Sequence, residues 1–91
     1  MREESFGVAA FRSRQQVMAF ERTLRRVGLP VEIVTTPRAV ALGCGLSVRF
    51  RLTDMQDVQD VYRVARPGNL IGFYRVERAE GRTQVSPLPI Q

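Results

Sequence analysis

Apolar and polar positions divide the first half of the chain into two short strands and one helix. Residues 5–11 are apolar and aromatic, which is typical of a buried strand. Over residues 14–27 the apolar positions recur at helical spacing and stop at Gly28: they are Val17, Phe20, Leu24 and Val27. Residues 31–35 are rich in β-branched side chains and predict a second strand.

The second half repeats this arrangement and ends in a proline-containing tail. Residues 46–51 alternate, with Leu46, Val48 and Phe50 on one face of a predicted strand and Ser47, Arg49 and Arg51 on the other. Thr53 and Gln56 predict the N-terminal cap of a second helix, which Pro67-Gly68 closes. Residues 70–77 predict a last strand. Pro87 and Pro89 lie in the remaining residues, 79–91, which we expect to form a loose tail.

The predicted order is β-α-β-β-α-β, which indicates an α+β, ferredoxin-like fold. Right-handed crossovers in this topology place both helices on one face of a four-stranded antiparallel sheet, with strands one and three inside it. A chain of 91 residues has room for one domain. We therefore expect a single domain over residues 1–78, followed by the C-terminal tail over residues 79–91.

The sheet face without helices is predicted to be partly apolar. The first and last strands carry large apolar side chains at positions of both parities, namely Phe6, Phe11, Ile71 and Tyr74. An exposed apolar sheet face is typical of an interaction surface. We expect a second copy of the chain, or the tail, to cover it, so that the protein is a homo-oligomer such as a dimer.

The composition narrows the classes of chemistry and the compartment. No apolar run approaches the length of a membrane span, and no secretory signal opens the sequence, so we expect a cytoplasmic protein without a membrane partner. One cysteine and no histidine exclude an internal disulfide, a Cys/His zinc site and catalysis by an imidazole base. The sequence predicts no metal site and no cofactor, and it favours a carrier or binding domain over an enzyme.

All fourteen basic residues are arginine, against nine acidic residues, which gives a net charge of +5. Arginine binds carboxylates and phosphates through a planar pair of N–H donors, so this composition is compatible with anion recognition. A coding bias across the genome would produce the same composition. Because the arginines are scattered along the sequence, we favour the coding bias.

The only cysteine, Cys44, lies between Gly43 and Gly45 in the predicted connection to the third strand. Thr36 and Pro37 predict one helical turn over residues 38–42, with Gly43 as its left-handed stop. One interpretation is that Cys44 is a small apolar residue filling a corner. The other is a reactive thiol, since its glycine neighbours leave room for another molecule and Arg38 could supply positive charge.

The chain resembles a family of small bacterial proteins, the selenium/sulfur (Se/S) carrier protein-like family. The likeness covers approximately residues 5–75. It is carried by Phe20-Glu21 with Leu24, Gly28-Leu29-Pro30, Thr36-Pro37-Arg38, and Cys44-Gly45-Leu46 before Val48-Arg49-Phe50. Its most specific part is the Pro-Arg pair, a short gap and the Cys-Gly pair ahead of this strand.

The resemblance implies that Cys44 is a carrier thiol that holds sulfur or selenium as a persulfide or perselenide. Such a thiol needs access and a thiolate, but no base, metal or second cysteine. The candidate binding residues around it are Pro37, Arg38, Gly43, Gly45 and Arg49. The implied partner is a donor protein such as a cysteine desulfurase or a selenium-pathway enzyme.

Two other functions stay open. Arg49 and Arg51 on the predicted open sheet face, with Phe73 or Tyr74 nearby, could bind RNA by stacking and phosphate contacts. The strand "GLSVRFR" lacks the aromatic pattern of RNA-recognition domains, so nucleic acid is the less favoured partner. The same face could instead bind a partner protein in a regulatory or structural role.

Overall fold

The computed structural model describes residues 3–40 and 43–90. Two helices and five strands follow one another along the chain. They are β1 (Glu4–Phe11), α1 (Arg14–Arg26), β2 (Val31–Thr35), β3 (Leu46–Phe50), α2 (Met55–Ala65), β4 (Leu70–Ala79) and β5 (Arg82–Leu88). A 3-10 turn, Leu52–Asp54, precedes α2, and the cap of this helix is Asp54, one residue after the predicted Thr53. In the part of the chain that the structure describes, no helix is long and apolar enough to cross a membrane.

The five strands form one antiparallel sheet in the order β2-β3-β1-β4-β5. β1 pairs with both β3 and β4, and β3 also pairs with β2, so the first and third strands lie inside the sheet as predicted. The α+β class and the antiparallel sheet are confirmed. The prediction of four strands is wrong, because β5 extends the sheet beyond β4 and makes it differ from a simple ferredoxin-like sheet.

Most of the predicted loose tail forms a strand. Glu80 and Gly81, with φ of 53° and 75°, turn the chain back after β4. Both residues have positive φ, as in the two-residue turns that match the twist of antiparallel strands. β5 then pairs with β4, opposing Val85 to Val76 and Leu88 to Phe73. Residues 82–88 are therefore an edge strand, and Pro87 is tolerated there because it lies at an edge.

The main core lies between the helices and one face of the sheet. Its buried residues are Ala9, Phe11, Val17, Phe20, Leu24, Val31, Val48, Phe50, Val58 and Phe73. The aromatic rings of this layer meet edge to face, with Phe11 and Phe20 at 5.5 Å between ring centroids. Edge-to-face contacts add a modest gain beyond the burial of apolar area. Val17, Phe20 and Leu24 of α1 belong to this core as predicted, and so do Val48 and Phe50 of β3, with Leu46 partly buried against it. Val27 does not, because α1 ends at Arg26 and leaves the Val27 side chain 58% exposed.

A second, smaller cluster lies on the other sheet face and consists of Phe6, Val8 and Val76. These residues are buried although no helix covers them. The guanidinium of Arg49 lies 3.8 Å from the Phe6 ring centroid, and that of Arg78 lies 5.2 Å from it. The prediction of apolar residues on this face is thus confirmed, and long side chains of the same chain shield Phe6. Coverage by a second copy stays a prediction.

Candidate functional site

Cys44 lies in the connection between β2 and β3, of which residues 36–40 and 43–45 are described. The Val40 N–H donates to the Pro37 carbonyl oxygen at 3.0 Å, which closes a tight turn over residues 37–40. A helical turn was predicted over residues 38–42. Over residues 38–40 the structure has only the tight turn closed by this one hydrogen bond, so that part of the prediction is wrong. Ala41 and Leu42, its last two residues, lie outside the described residues.

One backbone hydrogen bond attaches the Cys44 connection to β1, and another joins the two ends of the connection. The Cys44 N–H donates to the Phe11 carbonyl oxygen at 3.2 Å, and the Thr36 N–H donates to the Gly45 carbonyl oxygen at 2.9 Å. The hydroxyls of Thr36 and Ser47 lie 2.7 Å apart and share a further hydrogen bond. Cys44 is therefore held at the point where β1 ends and β3 begins.

The two glycines beside Cys44 serve different purposes. Gly43 has φ of 117°, and a Cβ there would lie 2.6 Å from Ile71 Cδ1 and 2.8 Å from the Phe11 carbonyl oxygen. Only glycine fits this position, because both the backbone conformation and the space exclude a side chain. Gly45, with φ of 87°, faces open space, since a Cβ there would meet nothing within 4 Å. The chain thus packs tightly before Cys44 and leaves open space after it.

The Cys44 thiol is a half-buried free cysteine. One side of the residue packs against the main core. Its Sγ lies 3.6 Å from the Leu46 carbonyl oxygen, within the range of a weak hydrogen bond from sulfur. Cys44 therefore fills part of a corner, as the first interpretation predicts, without being fully buried, and a reactive thiol stays a prediction.

Four of the five candidate binding residues lie in the same connection as Cys44. Gly43 and Gly45 flank it, Pro37 is half-buried in the turn over residues 37–40, and Arg38 is exposed in that turn. No hydrogen bond or ion pair of the Arg38 side chain is found among residues 3–40 and 43–90. Arg38 therefore keeps its charge available at the surface of this connection.

Arg49 lies elsewhere. It is three residues into β3, roughly 10 Å along the strand from Leu46. Its guanidinium lies over Phe6 and forms ion pairs with Glu4 at 3.2 Å and Glu32 at 3.9 Å. These contacts give Arg49 a role in covering the smaller cluster, at a distance from the thiol.

A surface cleft of about 510 Å³ lies near the end of β3 that is remote from Cys44. Arg25, Arg49 and Arg51 line it together with Glu32. Arg51 donates to both carboxylate oxygens of Asp54, at 2.8 and 3.3 Å, and this hydrogen bonding, followed by the attraction of the Asp54 charge, raises the pKa of Arg51. Because carboxylates already pair with these arginines, the cleft has no excess of positive charge to offer an anion.

Sequence reasoning missed three arginines that the fold brings to the same end as Cys44, namely Arg12, Arg14 and Arg66. The Arg12 N–H donates to the Asn69 carbonyl oxygen at 2.8 Å, which joins the connection before α1 to the connection after α2. These residues are far from Cys44 along the chain, so spacing alone gave no signal. The predicted topology could have indicated their position, because it places these connections at one end of the sheet.

Comparison with known proteins gives one match. The model of the family described as "Putative Se/S carrier protein-like" matches residues 6–66. This range includes β1 from its third residue onward, all of α1, β2, β3 and α2, and the whole Cys44 connection. No curated protein and no solved structure is significantly similar to the chain. The match covers well over half of the sequence, and the chain therefore belongs to the Se/S carrier protein-like family.

Proposed function

We propose that the protein carries sulfur or selenium on Cys44, as a persulfide or a perselenide. The observation that supports this most directly is that the chain's only cysteine lies inside the range matched by the family and is half exposed beside Gly45. Because a Cβ on Gly45 would meet nothing within 4 Å, a donor has room to approach the chain next to Cys44. The protein would act as a carrier between two other proteins.

The transfer step needs no group that the chain lacks. The Cys44 thiolate attacks the outer sulfur of a donor persulfide, a new S–S bond forms at Cys44, and the donor's own S–S bond breaks. The electron pair of the broken bond stays on the donor cysteine, which leaves as a thiolate. Delivery to an acceptor is the same step in the other direction, with the acceptor thiolate as the nucleophile. No oxidant is consumed, because a neutral sulfur atom moves between thiolates.

The test is to incubate the protein with a cysteine desulfurase and L-cysteine and then to analyse the intact protein by mass spectrometry. We expect a species heavier by one sulfur atom, which a reductant removes. The Cys44→Ser variant is the matched control and should give none. Equal labelling of the native protein and this variant would contradict the proposal. Selenocysteine in place of L-cysteine tests the selenium form.

A second measurement checks that the thiol is accessible before any donor is added. The rate of alkylation of Cys44 by iodoacetamide is compared in the native and the urea-unfolded protein at the same pH. We expect a native rate within about tenfold of the unfolded rate, since open space borders the half-exposed residue. Protection that lasts until unfolding would make Cys44 a purely structural residue.

A further inference from the structure

The arginines that are scattered in the sequence separate into two groups in the fold. Three connections meet at the Cys44 end of the sheet: residues 12–13 before α1, residues 36–45 between β2 and β3, and residues 66–69 after α2. Together with the first residue of α1 they contain Arg12, Arg14, Arg38 and Arg66. All four side chains are exposed. We call this set the Cys44-end arginines.

Hydrogen bonds and strand register bring these connections together. The Cys44 N–H bonds to the Phe11 carbonyl, directly before Arg12, and the Arg12 N–H bonds to the Asn69 carbonyl. Phe11 also opposes Leu70 in the sheet, and Thr35 opposes Leu46. The four arginines therefore lie at the same end of the molecule as the thiol, although they span more than fifty positions of the sequence.

No acidic residue occurs in these connections. The nine carboxylates of the chain lie on strands, on helices, in the turns at the other end or at the N-terminus: Glu3, Glu4, Glu21, Glu32, Asp54, Asp57, Asp60, Glu77 and Glu80. Within residues 3–40 and 43–90, none of the Cys44-end arginines forms an ion pair. The arginines that do form ion pairs are Arg25, Arg49, Arg51, Arg63, Arg75 and Arg78.

The backbone adds to this positive field. α1 begins at this end and has no acidic residue in its first turn, so the partial positive charge of its free N–H groups stays uncompensated. At physiological salt the screening length is about 8 Å, which lets such charges act over the width of a loop. α2 ends at the same end, and the partial negative charge of its last carbonyl groups is met in part by Arg66, whose Nε donates to the Arg63 carbonyl oxygen at 3.3 Å. The charged side chains that the three connections and Arg14 bring to a molecule approaching Cys44 are all positive.

We propose that the Cys44 end docks an acidic protein surface, which presents the sulfur or selenium group to Cys44. This inference rests on the proposed carrier function for the identity of the group transferred, whereas the docking itself rests on charge. Transfer requires a bond between two sulfur atoms, so the donor and the acceptor must both approach this end. A protein is favoured over RNA because residues 12–14, 36–45 and 66–69 contain no aromatic side chain on which a base could stack.

The test uses disulfide exchange with three synthetic peptides of equal length. Each peptide has one cysteine joined to 2-thiopyridine, and its other residues are rich in glutamate, glutamine or lysine. The Cys44 thiolate attacks the peptide sulfur, the peptide–thiopyridine bond breaks, and 2-thiopyridone leaves with the electron pair. The absorbance of the released 2-thiopyridone measures the rate.

We expect the glutamate-rich peptide to react on the order of tenfold faster than the glutamine-rich one at low salt, and the lysine-rich peptide to react slowest. The preference should largely disappear at about 1 M salt, where the screening length is about 3 Å. The same order should appear when native protein is mixed with all three peptides and the products are counted by mass spectrometry.

Two triple variants separate local from total charge. The first replaces Arg12, Arg14 and Arg38 by glutamine, and the second replaces Arg22, Arg26 and Arg82, which are equally exposed. Both lose the same number of positive charges. The first variant should lose the preference for the acidic peptide, and the second should keep it. Persistence of the preference in the first variant, or equal loss in both, would overturn the docking proposal.

The outcomes keep docking and carrier function apart. An acidic preference without persulfide formation would contradict the carrier function and leave the docking surface standing. Persulfide formation with equal peptide rates would contradict the docking proposal and leave the carrier function standing. A third outcome would assign the surface to nucleic acid. In that outcome a single-stranded RNA oligonucleotide protects Cys44 from alkylation, only the first triple variant loses this protection, and the three peptides react at equal rates. This result would overturn the docking proposal.

Discussion

The two ends of the sheet contain the same kind of charged residue and use it in opposite ways. At the end remote from Cys44, Arg49 covers Phe6 and binds Glu4, and Arg51 binds Asp54. At the Cys44 end, Arg12 and Arg38 have no such partners among the described residues. An arginine that lies on apolar surface and pairs with a carboxylate contributes to stability, whereas an exposed, unpaired one mainly contributes to the external field.

The backbone also differs between the two ends of the sheet. Gly81 at the remote end permits a tight hairpin turn, and a Cβ there would meet nothing within 4 Å. Gly43 at the Cys44 end is enclosed by Ile71 and the Phe11 carbonyl. The chain near Cys44 is thus fixed by backbone packing, with its charges left free, and the other end is fixed by side-chain pairing. This difference predicts that charge changes near Cys44 affect association and that charge changes at the remote end affect folding.

The largest effect is expected from Gly43→Ala, because the added Cβ would overlap a backbone oxygen as well as Ile71 Cδ1. Strain at positive φ and overpacking together should lower the free energy of unfolding by about 3 kcal/mol. Gly45→Ala is the matched control: it shares the positive φ but faces open space, so it should cost about 1 kcal/mol. Urea denaturation measures both, and equal losses would contradict the tight packing at Gly43.

Much of the fold followed from periodicity. The bounds of β2 and of nearly all of α1 were predicted, because β-branched runs and helical spacing are local signals that burial reinforces. β5 was missed because its residues are mostly polar and include Pro87, and its pairing depends on the neighbouring edge of β4. Propensity alone does not describe a strand that forms by completing an existing edge.

The candidate site was likewise predicted only where its residues adjoin in the sequence. Cys44 and its glycines were evident from the sequence because they adjoin one another, and so was the Pro37-Arg38 pair. Arg49 was assigned to the site through the motif, yet strand register places it over Phe6. Arg12 and Arg66 were missed because only the sheet register and the hydrogen bond between Arg12 and Asn69 bring them together. Local motifs therefore predicted the thiol, and tertiary contacts decided its charged surroundings.

A smaller effect is expected at the remote end from Asp54→Asn. Asp54 is 9% exposed and accepts two hydrogen bonds from Arg51 just before α2. Asparagine keeps the size of the side chain but not its charge, so the unfolding free energy should fall by about 1 kcal/mol. Asp57→Asn, in the first turn of α2, loses a similar helix-dipole interaction without the Arg51 bonds and should cost about half as much. Identical losses would show that the Arg51 pair adds nothing.

The smallest effect, and the most direct comparison of the two ends, is expected from Arg49→Gln and Arg38→Gln. Each variant removes one positive charge. Arg49→Gln withdraws the guanidinium from the Phe6 ring and from Glu4, and should lower the free energy of unfolding by roughly 0.5 to 1 kcal/mol. Arg38→Gln should change it by less than about 0.5 kcal/mol, since the exposed side chain lacks such contacts among the described residues.

The reactivity of Cys44 should respond to these two variants in the reverse order. The ratio of alkylation rates with iodoacetate, an anion, and iodoacetamide, its neutral analogue, measures the positive field at the thiol. Arg38→Gln should lower this ratio by about twofold at low salt, because Arg38 belongs to the same connection as Cys44. Arg49→Gln should leave it nearly unchanged, since Glu4 and Glu32 already offset that charge. If instead both variants lowered the ratio equally, the field at Cys44 would reflect the net charge of the whole protein, and the distinction between the two ends would fail.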